Sequence, residues 1–137
     1  MPTLPPAMST PFSPGYDRRL SVSLVQHGAV MVAHVTGELD PSTVPVLREH
    51  LEPLWRRDDL TAVVLDAAGL TFCDSVGVSA LIGALKQCQA AGKHLLLSAV
   101  HGTLARFLTI TGLRRAFEIH DSAAEAVQAA SRTAGEA

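Results

Sequence analysis

Aromatic residues, cysteine and charge are all scarce in this chain. Phe, Trp and Tyr make up 4% of its 137 residues, so the core must come from Leu, Val and Ala, within a hydrophobic content of 47%. The two cysteines, Cys73 and Cys88, form neither a CxxC pair nor a zinc-ligand pattern. They read as buried reduced thiols, which fits a cytoplasmic setting. Eleven basic and 13 acidic residues give a net charge of −2, with no basic stripe, so nucleic acid is not an expected partner. No run approaches the ~18 apolar residues of a membrane span, and no membrane partner is expected. The opening Met1-Pro2-Thr3-Leu4-Pro5-Pro6 has neither the basic start nor the apolar stretch of a signal peptide. The histidines at 27, 34, 50, 94, 101 and 120 show no HExxH spacing, and no GxxxxGK[ST] loop is present. Neither a metal site nor a cofactor is therefore expected.

The length suits one domain. Five of the eight prolines fall at 2, 5, 6, 11 and 14. Residues 1–17 are thus expected as a disordered arm, 18–131 as the folded domain and 132–137 as a flexible tail. No internal repeat is visible.

Along the domain, Leu20, Val22 and Leu24 alternate with serines, the pattern of a half-buried strand. Gln26-His27-Gly28 is a turn, and 29–38 is the partner strand of a hairpin. Ser42 or Thr43 caps a helix with Pro45 in its first turn; Pro53 kinks or ends it. A short buried strand over 60–65 is followed by a loop over 66–74. A helix then runs from about Ser75 to Ala91, stopped at Gly92. Residues 95–100 form another buried strand. Leu104, Phe107 and Leu108 mark a helix that stops at Gly112, and 117–119 is an edge strand. Ser122 and Glu125 make a capping box for a last helix to about Ala130. The order β-β-α-β-α-β-α-β-α predicts an α/β fold: a mixed, mostly parallel sheet with an N-terminal antiparallel hairpin, packed with about four helices.

The chemistry concentrates at Cys73-Asp74-Ser75-Val76-Gly77-Val78-Ser79. Ser75 stands between an apolar strand and an amphipathic helix. Its hydroxyl is thereby placed near the surface at a helix N-terminus, where free N–H groups and the helix dipole favour a phosphoryl group. The plain alternative is a helix cap that is never modified. Asp74 is either an N-cap or a partner contact, and Asp40 either caps the first helix or stabilises its approach, or is part of a binding face. Gly77 permits close approach of backbone or partner. Ser79 lies one turn beyond Ser75 on the same face, and Thr71 is a second candidate acceptor. A hydrolase nucleophile elbow, G-x-S-x-G, would need glycine at Cys73. The chain is also short for that fold, and no enzyme activity is expected.

These residues resemble the STAS domain, in particular the bacterial anti-sigma-factor antagonists. The match runs from about Leu20 to Ser131. It is strongest over residues 65–77, which end in Asp74-Ser75-Val76-Gly77. Gly37-Glu38-Leu39-Asp40, Gly92-Lys93-His94 and Thr111-Gly112-Leu113 support it. Val76 and Ala68 depart from the family, which often has serine at each. The resemblance implies a phosphoacceptor at Ser75 and a partner-binding face of Asp40, Asp74, Ser75, Val76, Gly77 and Ser79. It implies a partner-switching cycle with an anti-sigma factor that has serine-kinase activity and with a metal-dependent serine phosphatase. The unmodified antagonist binds the anti-sigma factor and frees a sigma factor; phosphorylation ends that binding. The alternatives are a STAS module of a stress-signalling scaffold or of a lipid-transport accessory protein, or a constitutive binding module. Oligomeric state is left open.

Overall fold

The computed structural model describes residues 19–136, with side chains as far as Arg132. The proline-rich arm, residues 1–17, lies outside the described residues. A five-stranded sheet forms the centre of the molecule. Strand β1 (Leu20–His27) pairs antiparallel with β2 (Val30–Leu39) through a turn at Gly28. The strands β3 (Ala62–Cys73), β4 (His94–Ser98) and β5 (Glu118–His120) follow in spatial order, each parallel to its neighbour. Helices α1 (Val44–Leu51), α2 (Ser75–Ala90), α3 (Gly102–Thr111) and α4 (Ala123–Glu136) complete the fold. Among the described residues, the expected mixed α/β sheet with an N-terminal hairpin and four helices is the fold observed.

Period-two alternation divides the central strands between two cores. Met31, Ala33 and Val35 of β2, Val63 and Leu65 of β3 and Leu95 and Leu97 of β4 join one buried cluster with Leu47, Val78, Leu81, Leu104 and Leu108. Val30, Val32, Ala62, Val64 and Leu96 point to the other side, against Ala126 and Ala130 of α4. Among the described residues, three helices thus build the thick core and α4 covers the second face. Each fully buried Leu contributes about 1.5–3 kcal/mol of transfer free energy. That is ample for a core almost without aromatics.

The punctuation of the elements follows their residues. Pro53 marks the change from α1 to a short 3-10 helix, Glu52–Arg56. Gly112 ends α3 in the left-handed region at φ 76°. The Ser122 hydroxyl accepts from Glu125 N at 3.1 Å at the start of α4.

Four expectations are corrected. Residues 66–73, expected as loop, continue β3 to Cys73, because β2 offers a partner along its whole length. The pairing shifts register between His34 and Thr36 and again between Gly37 and Glu38. Gly69 makes this passage feasible: a Cβ there would lie 2.7 Å from Thr36 Oγ1. The outer half of β1 is not half-buried, since Leu24 and Val25 are exposed on an edge strand. Strand β4 stops at Ser98 rather than continuing to Val100, because Ala99 turns to φ 55°. Residues 132–136, expected as tail, continue helix α4.

Candidate functional site

Two strand-to-helix junctions lie side by side at one end of the parallel sheet. Leu39 and Cys73, the last residues of β2 and β3, are register partners. The residues that follow them, Asp40 and Asp74, therefore leave the sheet together, and Asp74 N donates to Leu39 O at 3.3 Å. This geometry brings the Asp40 and Ser75 segments into one surface, although they are far apart in sequence.

In the first junction Asp40 holds a turn. Its Oδ1 accepts from Ser42 N at 3.0 Å, Ser42 Oγ at 2.8 Å and Thr43 N at 3.2 Å. The Arg19 guanidinium lies 3.5 Å from Oδ2 and also donates to Ser42 Oγ. The hydrogen bonds from Ser42, aided by those from Thr43 and by the Arg19 charge, hold the Asp40 carboxyl below its ordinary pKa. Thr43 is fully buried. Its hydroxyl donates to Glu38 O at 2.8 Å instead of capping α1, whose N-cap it occupies by position alone. Asp40 thus organises the approach to the helix, one of the two roles open to it from sequence.

In the second junction Asp74 is the N-cap of α2, in extended conformation, with Oδ1 accepting from Gly77 N at 2.9 Å. The amides of Ser75 and Val76 have no intrahelical acceptor at this end. Ser75, Val76 and Ser79 are exposed, and Gly77 and Val78 are buried. Among the described residues the Ser75 hydroxyl makes no hydrogen bond. Gly77 is required by packing: a Cβ there would stand 2.8 Å from both Leu39 O and Cys73 Sγ. The helix start is thereby seated on the end of β2. The close approach expected at Gly77 is to this chain's own backbone. Thr71, the other acceptor considered, already donates through Oγ1 to Gly37 O at 3.0 Å.

Both cysteines are buried and unpaired, as the sequence implied. Burial, reinforced by the charge of Asp74, pushes the Cys73 thiol up to about 12. Burial raises Cys88 to about 11. Neither supplies a thiolate near neutral pH. Sequence reasoning missed Thr103, whose hydroxyl accepts from Cys73 N at 2.8 Å and ties the start of α3 to the end of β3. It also missed Arg19, the cation of the Asp40 turn. A threonine after a glycine gives no sign of a contact 30 residues upstream.

A polar row crosses the face of the sheet that α4 covers. His34 Nδ1 lies 2.7 Å from Asp66 Oδ2, and Ser98 Oγ donates to Asp66 Oδ1 at 3.3 Å. The carboxylate sits in the middle, so the buried serine bonds to an acid and not to the imidazole. This order gives no activated nucleophile. Among the described residues no group of His, Cys, Asp and Glu could hold a metal ion, and no helix is long and apolar enough to cross a membrane.

Comparison with known proteins places this geometry in context. The family model for the STAS domain matches residues 21–126. An anti-sigma-B factor antagonist of Staphylococcus epidermidis is 30% identical over 102 residues, covering 74% of this chain and 94% of the relative. Among solved structures, an anti-sigma factor antagonist from Mycobacterium paratuberculosis superposes with a TM-score of 0.72 at 24% identity, over 81% of this chain and 93% of that one. The Bacillus cell fate determinant SpoIIAA in its phosphorylated form gives 0.63 at 21% identity, over 79% and 97%.

Proposed function

Because the chain belongs to the STAS-domain family, we propose that it is an anti-sigma-factor antagonist controlled by phosphorylation of Ser75. In its unmodified form it binds an anti-sigma factor with serine-kinase activity and so releases a sigma factor. The kinase supplies ATP, magnesium and the base; this chain supplies the acceptor hydroxyl. A metal-dependent serine phosphatase reverses the step. The cycle runs in the cytoplasm. Ser75, Val76 and Ser79 together with Asp74 and Asp40 form the contact region; the two aspartates also shape their junctions, and buried Gly77 seats the helix start beneath it.

The observation that carries this reading is the exposed Ser75 hydroxyl at the start of α2, without a hydrogen bond among the described residues. The relatives' names support the antagonist role, and a neighbour solved in phosphorylated form supports the switch.

Energetics favour a switch that leaves the fold intact. A phosphoryl group adds about −1.5 to −2 charges at pH 7. At the N-terminus of its own helix it gains about 0.3–1 kcal/mol from the dipole, offset in part by Asp74. Within an interface shaped for a hydroxyl, burying that charge unpaired costs several kcal/mol. A loss of about 3–4 kcal/mol weakens binding by some hundreds-fold.

Calorimetric titration against the purified serine-kinase anti-sigma factors of the source genome tests this reading. Ser75→Ala should bind like wild type and escape the kinase. Ser75→Asp, with a single added charge, should bind at least tenfold more weakly, about 1.4 kcal/mol. Both should melt close to wild type. Equal affinity of the two variants would place Ser75 outside the interface and leave a constitutive binding module.

A further inference from the structure

We infer that the surface that docks the anti-sigma factor extends beyond the Ser75 segment onto the outer face of α3, and that Ile110 and Arg106 are two of its anchors. The inference rests on the reading above and adds to it the partner's contact chemistry. Among the described residues, the large apolar side chains left in solvent fall into two groups. Leu24 and Val25 lie midway along the edge strand β1. Phe72 and Val76 belong to the Ser75 segment, and Ile110 to the helix tied to it through Thr103.

Phe72 (41% exposed) and Val76 (43%) flank the Cys73-Asp74-Ser75 segment in the chain. Ile110 is 76% exposed on a helix whose buried stripe is carried by Leu104 and Leu108. A surface hollow is lined jointly by Cys73 and by Thr103, Arg106, Phe107 and Ile110 of α3. The outer face of α3 therefore adjoins the last residue of β3. The bond from Cys73 N to Thr103 Oγ1 fastens the two segments at 2.8 Å, so a partner meets them as one pre-organised surface, at little ordering cost. Arg106 is exposed at the rim and has no ion-pair partner among the described residues.

Two features select the occupant. The hollow that Ile110 lines includes Cys73, two residues before Ser75, so a protein that grips Ser75 meets this face of α3. The charge at its rim is cationic, so the matching partner surface is apolar with a carboxylate facing Arg106. Apolar anchors with a polar, charged rim are the usual anatomy of a specific protein interface. Leu24 and Val25 pair with Ala33 and Val32, several strand residues back from Leu39. At about 3.3 Å per residue they stand roughly 20 Å from the junctions. They serve as the internal control.

The test uses the full chain and the same purified anti-sigma factors. Ile110→Asp should weaken binding at least tenfold and leave the melting midpoint unchanged, because the side chain is in solvent. Arg106→Ala should weaken binding a few-fold and flatten its dependence on salt. Leu24→Asp on β1 should leave affinity at the wild-type level. Where wild type binds and is phosphorylated on Ser75, wild-type affinity in both Ile110→Asp and Arg106→Ala overturns the α3 surface and leaves the Ser75 reading standing. Absence of binding by wild type overturns both. If Ile110→Asp instead splits a dimer of this chain, as read by sedimentation, and keeps anti-sigma affinity, the patch belongs to a second copy and the inference fails.

Discussion

The β2–α1 and β3–α2 junctions start from the same register step and use their hydroxyls in opposite ways. After Leu39, the turn closes on itself. Asp40, Ser42, Thr43 and Arg19 satisfy one another, and the Ser42 hydroxyl both donates to Asp40 and accepts from Arg19. After Cys73, one hydrogen bond from Gly77 N to Asp74 sets the helix, and Ser75 is left without a partner among the described residues. A phosphoryl group on Ser42 would disrupt an ion-paired turn and place new charge beside Asp40. On Ser75 it meets solvent, a helix N-terminus and free amides. Two serines of similar exposure therefore differ in what their modification costs the fold. A switch needs the site where that cost is small.

The comparison breaks most readily at the glycine that seats α2. Gly77→Ala forces a Cβ against Leu39 O and Cys73 Sγ, each at 2.8 Å. It should destabilise the domain by about 1–3 kcal/mol, as overpacking does. At Gly83, in the same helix, an added Cβ would meet no described atom within 4 Å. Gly83→Ala should stabilise by about 0.5–1 kcal/mol through helix propensity. Paired urea melts of the two variants check the opposite signs. Asp74→Ala comes next: it removes the side-chain cap of α2 and should cost about 0.5–2 kcal/mol, read in the same melts.

The β2–α1 turn should respond more mildly and mainly to pH. Ser42→Ala removes an exposed hydroxyl bonded to a carboxylate and should cost less than about 1.5 kcal/mol. Asp40 has a folded-state pKa below its ordinary value of about 4. Its ionised form therefore stabilises the fold above about pH 4, and that contribution fades as pH falls through the depressed value. Asp40→Asn should accordingly melt below wild type at neutral pH, and the gap should narrow in acid. A gap that stays constant down to pH 2 would remove the charge from the account of this turn.

Much of this was legible in the sequence, and the failures share a cause. Element order, the caps at Asp74 and Ser122 and the stops at Gly92 and Gly112 follow from local rules. The second half of β3 did not: Asp66-Ala67-Ala68-Gly69 has no strand pattern of its own and pairs only because β2 lies alongside. Gly69 and Gly77 carry their meaning in contacts with Thr36 and Leu39, across tens of residues. The position of Ser75 at a helix start was readable because it depends on its immediate neighbours. The pairing of its junction with the Asp40 turn, and the attachment of α3 through Thr103, depend on tertiary register.

The central claim is that one hydroxyl, Ser75, is the acceptor, and the location of the phosphate tests it most directly. Wild type incubated with the cognate anti-sigma kinase and ATP should gain one phosphoryl group by intact mass, and fragment mapping should place it on Ser75. Ser75→Ala should gain none. Phosphate found on Ser42, Thr71 or Ser79 in the wild-type protein, or a Ser75→Ala variant still modified to full extent, would contradict the account.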